Sequence, residues 1–102
     1  MRKDPEIASE VKKILELIKS IAPGQSVELR VPPYSAIQCV AGSNHRRGTP
    51  PNTVEMSGET LIQLVQNPAL WDQQVNSGEI QASGAASDLS EVFAVASAKY
   101  KG

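Results

Sequence analysis

Two pairs of consecutive prolines, Pro32-Pro33 and Pro50-Pro51, divide the middle of this sequence. A proline cannot donate a hydrogen bond to a β-ladder, and it restricts the backbone of the residue before it. Each pair is therefore expected to interrupt an extended segment. Between the pairs, an apolar run ends at Gly42 and a polar, basic loop carries the only histidine. We interpret the stretch from Arg30 to Asn52 as the functional segment of the chain, and the other residues as the scaffold that supports it.

Extended segments lie on both sides of the first proline pair. From Ser26 to Val31, apolar and polar residues alternate strictly, which predicts a strand with one solvated face. Nearly every residue from Tyr34 to Val40 is apolar, which predicts a central strand with Ile37 and Cys39 on one face. The spacing leaves open whether the two segments form one bent ribbon or two neighbouring strands.

The N-terminal region predicts an amphipathic helix. Asp4 is suited to the N-cap, Pro5 to the first helical position, and Pro23-Gly24 to the end of the helix. Apolar residues at helical spacing form one stripe, which is expected to pack on a core: Ile7, Val11, Ile14, Leu15, Ile18, Ile21 and Ala22.

The remaining segments complete the predicted order of elements. They are a strand at Thr53 to Met56, a helix capped by Ser57 and ended by Asn67-Pro68, a short helix around Trp71, a strand at Glu79 to Ser83 and a last helix. Asp88 with Glu91 three residues later predicts a capping box for the last helix. The order of helix, three strands, two helices, strand and helix predicts an α+β fold, in which one sheet carries helices on one face.

Composition limits the possible classes of protein. The 102 residues suffice for a single domain, 1–102, divided into an N-terminal helix (1–24) and a core (26–102). A net charge of -1 and only four aromatic residues argue against nucleic-acid binding. Cys39 is the only cysteine, so it cannot form an intramolecular disulfide, and we expect it to behave as a small buried hydrophobe.

The sequence also predicts a cytoplasmic location without integral membrane association. The first residues, MRKDPEIASE, lack the apolar segment of a signal peptide. No apolar run approaches the roughly 20 residues that span a bilayer.

His45 and its neighbours are the strongest candidates for chemistry. A catalytic histidine needs an orienting carboxylate and a nucleophile, and nothing in the sequence places Asp72, Glu55 or Asp88 beside it. We therefore expect no enzymatic activity, no cofactor and no metal site, and the plain interpretation is a histidine that bonds the backbone of its own loop. Arg46-Arg47 with Gly48-Thr49 suits a phosphate or a carboxylate, but equally a solvated basic loop.

Two arginines of the loop are expected to differ in role. Glu55 follows the loop on a strand, where it is positioned to form an ion pair with Arg30 or Arg47. We predict that Arg47 bridges the loop to a strand group such as Glu55, whereas Arg46 points to solvent. Replacing Arg46 by alanine should then change stability by under about 0.5 kcal/mol, and Arg47→Ala should cost more.

At these residues the chain resembles a known family. The segment RVPPYSAIQCVAGSNHRRGTPPNTVEM, followed by EIQASGAASDLSEVF, resembles the bacterial, actinobacterial branch of the sterol carrier protein superfamily. The resemblance covers about Val27 to Phe93. Its most specific parts are the first proline pair with Arg30-Val31 before it, the loop from Gly42 to Asn52, Ser83-Gly84 and Asp88-Leu89. The residues of this motif that we single out are Arg30, His45, Arg47, Thr49, Asn52 and Glu55.

The resemblance implies a mostly antiparallel sheet covered on one face by helices, with an apolar cavity between the layers in larger members that carry sterols, fatty acids or acyl-CoA. This chain is shorter than those members, so its cavity is expected to be small or filled by side chains. The residues expected to line a cavity are apolar ones on the helices: Leu61, Leu64, Val65, Trp71, Val92 and Phe93. Five alanines around the last strand and helix are small enough to leave space, or to allow close packing: Ala82, Ala85, Ala86, Ala94 and Ala96.

Two functions remain open at this level. The first is non-enzymatic binding or carrying of an apolar small molecule. The second is a small protein-interaction module with a basic His/Arg loop, no ligand cavity and an unknown partner.

Overall fold

A computed structural model of the chain describes residues 3–42 and 51–102. Its elements follow the predicted order: α1 (Pro5–Ile21), β1 (Val27–Val31), β2 (Ser35–Cys39), β3 (Asn52–Glu55), α2 (Gly58–Gln66), a single 3-10 turn (Pro68–Leu70), α3 (Trp71–Asn76), β4 (Gln81–Ser83) and α4 (Ser90–Lys101). Within the described residues, four helices and a four-stranded sheet confirm the α+β class.

Helix α1 begins as its sequence predicts. The Asp4 side chain accepts hydrogen bonds from the backbone N–H groups of Glu6 and Ile7, and Pro5 is the first helical residue. This satisfies two of the N–H groups that every helix start leaves without a partner. The apolar stripe of α1 packs against α2, α4 and β2, so this helix joins the helix layer to one edge of the sheet.

The sheet has the order β2-β1-β3-β4. Strand β1 pairs antiparallel with β2 and parallel with β3, and β3 pairs antiparallel with β4. Two of the three pairings are antiparallel, as the resemblance implied. The segments around Pro32-Pro33 are neighbouring strands of a hairpin, and the bond between these two prolines is cis.

The prediction of a central position for β2 was wrong, because β2 is an edge strand of the sheet that residues 3–42 and 51–102 form. Only one of its faces is protected: Cys39 is fully buried and Ile37 half-buried, whereas Ala36 and Gln38 are exposed. The apolar run also continues beyond the strand, since Val40 has a φ of 66° and lies outside the ladder.

Alternation along the central strands separates a buried face from an open one. Val27, Leu29 and Val31 of β1 are fully buried, whereas Arg30 is exposed. Val54 of β3 is paired with Leu29 and is equally buried. The helices therefore cover one face of the sheet, and the other face is polar.

The ends of the later helices follow their sequences with one exception. Ser57 caps α2 by accepting from the Thr60 N–H. The predicted capping box at Asp88 was wrong in detail, because α4 begins at Ser90 and the Asp88 carboxylate accepts from the Ser90 N–H at 2.9 Å. For Asp88 to be the N-cap, the helix would have to begin one residue earlier, at Leu89.

Among the helices that the structure describes, none has the length and apolar character needed to cross a membrane.

Candidate functional site

The six predicted cavity residues meet in the interior of the helix layer. Five of them are buried and Val92 is partly buried against the same core. The rings of Trp71 and Phe93 lie with centroids 6.0 Å apart at an interplanar angle of 31°, a tilted aromatic pair. These side chains pack against one another, which agrees with the expectation of a small or filled cavity.

The expectation that five alanines lie between the layers, where they would leave space or allow close packing, was wrong for four of them. Ala82, Ala85, Ala86 and Ala94 are exposed, and only Ala96 is buried. The reason is geometric: β4 is a short edge strand, and the segment before α4 runs over the surface rather than between the layers. Small side chains in that segment therefore do not shape the interior.

Asn52, one of the predicted motif residues, is a buried structural connector. Its Nδ2 donates to the Ser26 carbonyl at 2.8 Å, and its Oδ1 accepts from the Ala86 N–H at 2.9 Å. Asn52 retains only 6% of its surface exposure. One amide side chain thus joins the chain before β1 to the loop before α4, and we call this arrangement the Asn52 clamp.

Gly84 is part of the Asn52 clamp. It has a φ of +110°, and a Cβ at this position would lie 2.2 Å from the Asn52 Oδ1. Glycine is therefore required here both for the backbone conformation and for the close approach of the amide. This explains why Ser83-Gly84 and Asn52 occur together among the motif residues.

Arg30 and Glu55, two further motif residues, lie on the open face of the sheet. Arg30 donates from Nε and Nη2 to Glu28 Oε1 at 3.0 and 2.8 Å. The predicted pair with Glu55 is present but longer, with 4.0 Å between Arg30 Nη1 and Glu55 Oε1. Since the Arg30 side chain is 44% exposed, these are surface ion pairs.

The other motif residues, His45, Arg47 and Thr49, lie outside the described residues, as do Arg46, Gly48 and Pro50. Their predicted roles, including the bridge from Arg47 to Glu55, remain predictions.

A groove with a volume of about 450 Å³ runs between α1 and the edge strand β2. Its apolar part includes Val11, Leu15 and Ile37. Its rim carries three lysines and one glutamate: Lys3, Lys12, Lys19 and Glu16. We name this feature the α1–β2 groove. The lysines share this groove because β2 is the strand that lies beside α1.

A smaller cavity of about 280 Å³ lies beside the first proline pair. Its lining includes Tyr34 and three acidic side chains, Glu55, Glu59 and Glu79. Within residues 3–42 and 51–102, no group of three histidine, cysteine, aspartate or glutamate side chains is arranged to hold a metal ion.

Two perturbed groups lie away from these features. Burial raises the pKa of the Cys39 thiol to about 11, so the thiolate that nucleophilic chemistry needs is disfavoured. The Tyr100 hydroxyl donates to Glu10, which joins the end of α4 to α1. This bond lowers the pKa of Glu10 and raises the pKa of Tyr100.

The geometry defines a class of protein. The helices form a layer on one face of a four-stranded mixed sheet, and the apolar core lies between the helix layer and the sheet. This arrangement is a sterol-carrier-like α+β fold. The chain belongs to the family described as "Bacterial SCP ortholog", whose model matches residues 3–95.

A solved structure named "UbiJ-SCP2 Ubiquinone synthesis protein" has a similar fold, with a TM-score of 0.55. The alignment covers 100% of this chain and 98% of that one, at 13% sequence identity. At this identity the likeness concerns the fold alone. No curated protein matches the chain at a significant level.

Proposed function

We propose that this protein binds a single acyl or sterol-like molecule reversibly, between the helix layer and the sheet, and performs no chemistry on it. The observation that carries the proposal is membership of the bacterial sterol carrier family over residues 3–95. The solved neighbour of similar fold, whose name includes SCP2, supports the same assignment. The chain would act as one domain, 1–102, with the helix of residues 1–24 laid on a core of residues 26–102.

The proposed ligand site is the apolar interior around the six predicted residues. Their side chains fill this space in the structure, so a ligand must separate α4 from its neighbours. Val92 is the partly buried member of the set and marks the side of α4 on which such an opening would begin. Burial of roughly 300 Å² of apolar surface at about 25 cal/mol per Å² would contribute about 7.5 kcal/mol, from which the costs of association and of separating α4 are subtracted.

The absence of chemistry is supported by two features of the described residues. The Cys39 thiol is fully buried with a raised pKa, which removes the one cysteine nucleophile. The acidic groups beside Pro32-Pro33 lie in a separate cavity from the apolar interior. A carrier of this kind would act in the cytoplasm, and fractionation of cells tests that location.

Trp71 provides the test, because it is the only tryptophan and is one of the six residues. Its emission is followed while palmitate, palmitoyl-CoA and cholesterol are each titrated, with mass spectrometry of any lipid that co-purifies. A saturable change is expected for at least one of these ligands. A Trp71→Phe variant is the control for emission that does not come from this site.

A matched pair of substitutions on α4 locates the ligand. Ala96 is buried and Ala94 is exposed on the same helix. Ala96→Leu should reduce binding by about tenfold, since it occupies interior space, whereas Ala94→Leu should leave it unchanged. No saturable binding by any ligand would overturn the carrier function and favour the interaction module with the His45 loop.

A further inference from the structure

The outer edge of β2 is a surface that the proposed function does not use. Within residues 3–42 and 51–102, strand β2 has one neighbour, β1, and forms one end of the sheet. Three of its five residues, Ser35, Ala36 and Gln38, are exposed. The strand contains neither proline nor charge, which are common devices that prevent an edge from pairing with another chain.

The hydrogen bonds of the neighbouring strands fix which groups of β2 are free. The Arg30 carbonyl accepts from the Met56 N–H at 3.1 Å, so the Arg30 backbone faces β3 and not β2. Its partner in the register, Ala36, therefore directs its own N–H and C=O away from β1. Because this direction alternates along a strand, Gln38 presents its backbone groups at the same edge.

The α1–β2 groove lies beside this edge and gives it a chemical preference. An added strand would place alternate side chains beneath α1, against Leu15 and the lysines of the rim. The rim has a net charge of +2, since Lys3, Lys12 and Lys19 are opposed only by Glu16. Among the described residues, neither Lys12 nor Lys19 forms an ion pair.

We propose that β2 accepts an extended segment of a partner protein as an additional strand, and that acidic side chains of this segment bind the lysines of the α1–β2 groove. Backbone hydrogen bonds to Ala36 and Gln38 supply sequence-independent binding, and the rim supplies selection for negative charge. The proposal concerns a surface outside the apolar interior, so it stands or falls independently of lipid binding.

A proline scan of the two edges tests the backbone part. The probe is a fluorescein-labelled peptide of about eight residues that alternates glutamate and valine, followed by anisotropy with the full chain. Ala36→Pro removes an N–H that points outward and leaves the β1–β2 ladder intact. Ala82→Pro is the matched control, because Ala82 is an exposed alanine of β4, the edge strand at the other end of the sheet.

We expect saturable binding that Ala36→Pro weakens by about fivefold or more and that Ala82→Pro leaves within twofold. Circular dichroism and the midpoint of thermal unfolding show whether each variant is folded. Equal effects of the two prolines on peptide binding would overturn the proposal. A loss of self-association in Ala36→Pro would also overturn it, because it would show that the edge pairs with a second copy of this chain.

Charge variants test the groove without altering the backbone. Lys12→Gln with Lys19→Gln should weaken peptide binding by about tenfold, and salt should weaken it in the original protein. Lys99→Gln with Lys101→Gln on α4 removes the same charge elsewhere and should have no effect. The assignment would be contradicted if a lysine–valine peptide bound with equal affinity. It would also be contradicted if palmitate, added in place of the peptide, shifted the amide resonances of Ala36 and Gln38.

Discussion

Asn52 and Arg30 lie on adjacent strands of the sheet and both belong to the predicted motif, but they face opposite sides. The Asn52 amide is buried and is hydrogen-bonded at both ends to backbone groups that are distant in sequence. The Arg30 guanidinium lies on the open face and pairs with Glu28 and, more weakly, with Glu55. The two residues form a similar number of polar contacts in very different surroundings.

Asn52 and Arg30 should contribute differently to stability, because the groups that each would leave unpaired differ in their access to water. Without the Asn52 amide, the Ser26 carbonyl would lose a buried hydrogen bond and the Ala86 N–H a partly buried one. Without Arg30, the Glu28 and Glu55 carboxylates would be solvated. The Asn52 clamp should therefore determine the stability of the fold, whereas the exposed ion pairs should contribute little.

The largest expected effect is that of Gly84→Ala, which brings a methyl group into the Asn52 clamp. The new Cβ would meet Asn52 at 2.2 Å and the backbone would keep a φ of +110°. We expect a loss of about 4 kcal/mol in the free energy of unfolding, from steric overlap and backbone strain together.

Gly78→Ala is the control for this prediction. Gly78 also has a positive φ, +86°, but a Cβ there would meet no atom within 4 Å. The loss should be about 1 to 2 kcal/mol, from backbone strain alone. Equal losses in urea unfolding would show that Gly84 is not constrained by the clamp.

Asn52→Ala should cost about 3 kcal/mol, because two backbone groups lose their partner at once. Gln38→Ala removes an amide of similar chemistry from an exposed strand position and should change stability by less than about 0.5 kcal/mol. Chemical denaturation of both variants measures the difference. A small effect of Asn52→Ala would mean that water replaces the amide, and the clamp would lose its proposed importance.

The contact between Tyr100 and Glu10 should contribute less to the free energy of unfolding than the Asn52 clamp and more than the exposed ion pairs. Its contribution should depend on pH. The lowered pKa of Glu10 means that its contribution is present above the ordinary glutamate pKa, and is lost as the pH falls through the lowered value, below about 4.3. The raised pKa of Tyr100 means that its contribution is present below about pH 10 and is lost as the pH rises through the raised value.

Tyr100→Phe should therefore destabilise the protein most near neutral pH and least at both extremes. Stability curves of the original protein and the variant over pH measure this. In a Glu10→Gln background, the acid-side dependence of the Tyr100→Phe effect should disappear. If it persisted there, another group would be responsible.

The smallest expected effect is that of Arg30→Ala, under about 0.5 kcal/mol, because the ion pairs of Arg30 are exposed. Added salt should reduce even this difference. A loss comparable with that of Asn52→Ala would contradict the contrast between the two faces of the sheet.

Local features of the sequence predicted the elements and most of their ends. Asp4-Pro5 predicted the start of α1, Ser57 the start of α2, and alternation along β1 its buried and open faces. Each of these depends on residues within one turn or one strand. The motif residues predicted the family and the fold through their resemblance to known proteins.

The arrangement of elements that are distant in sequence was harder to predict. The apolar run of β2 suggested burial on both faces, because composition does not show that a strand has only one neighbour. The parallel pairing of β1 with β3 depends on the path of the chain between these strands, which local sequence patterns do not determine. Asn52 did carry a clue, since asparagine is disfavoured in strands and a buried side-chain amide needs hydrogen-bond partners.

Native mass spectrometry of the intact protein measures whether the apolar interior accepts one lipid chain. After incubation with palmitate, we expect a single saturable adduct, which Ala96→Leu reduces and Ala94→Leu does not. Spectra that show only the free chain at saturating palmitate, palmitoyl-CoA and cholesterol would contradict it. Equal adducts with both variants would place the lipid outside the interior.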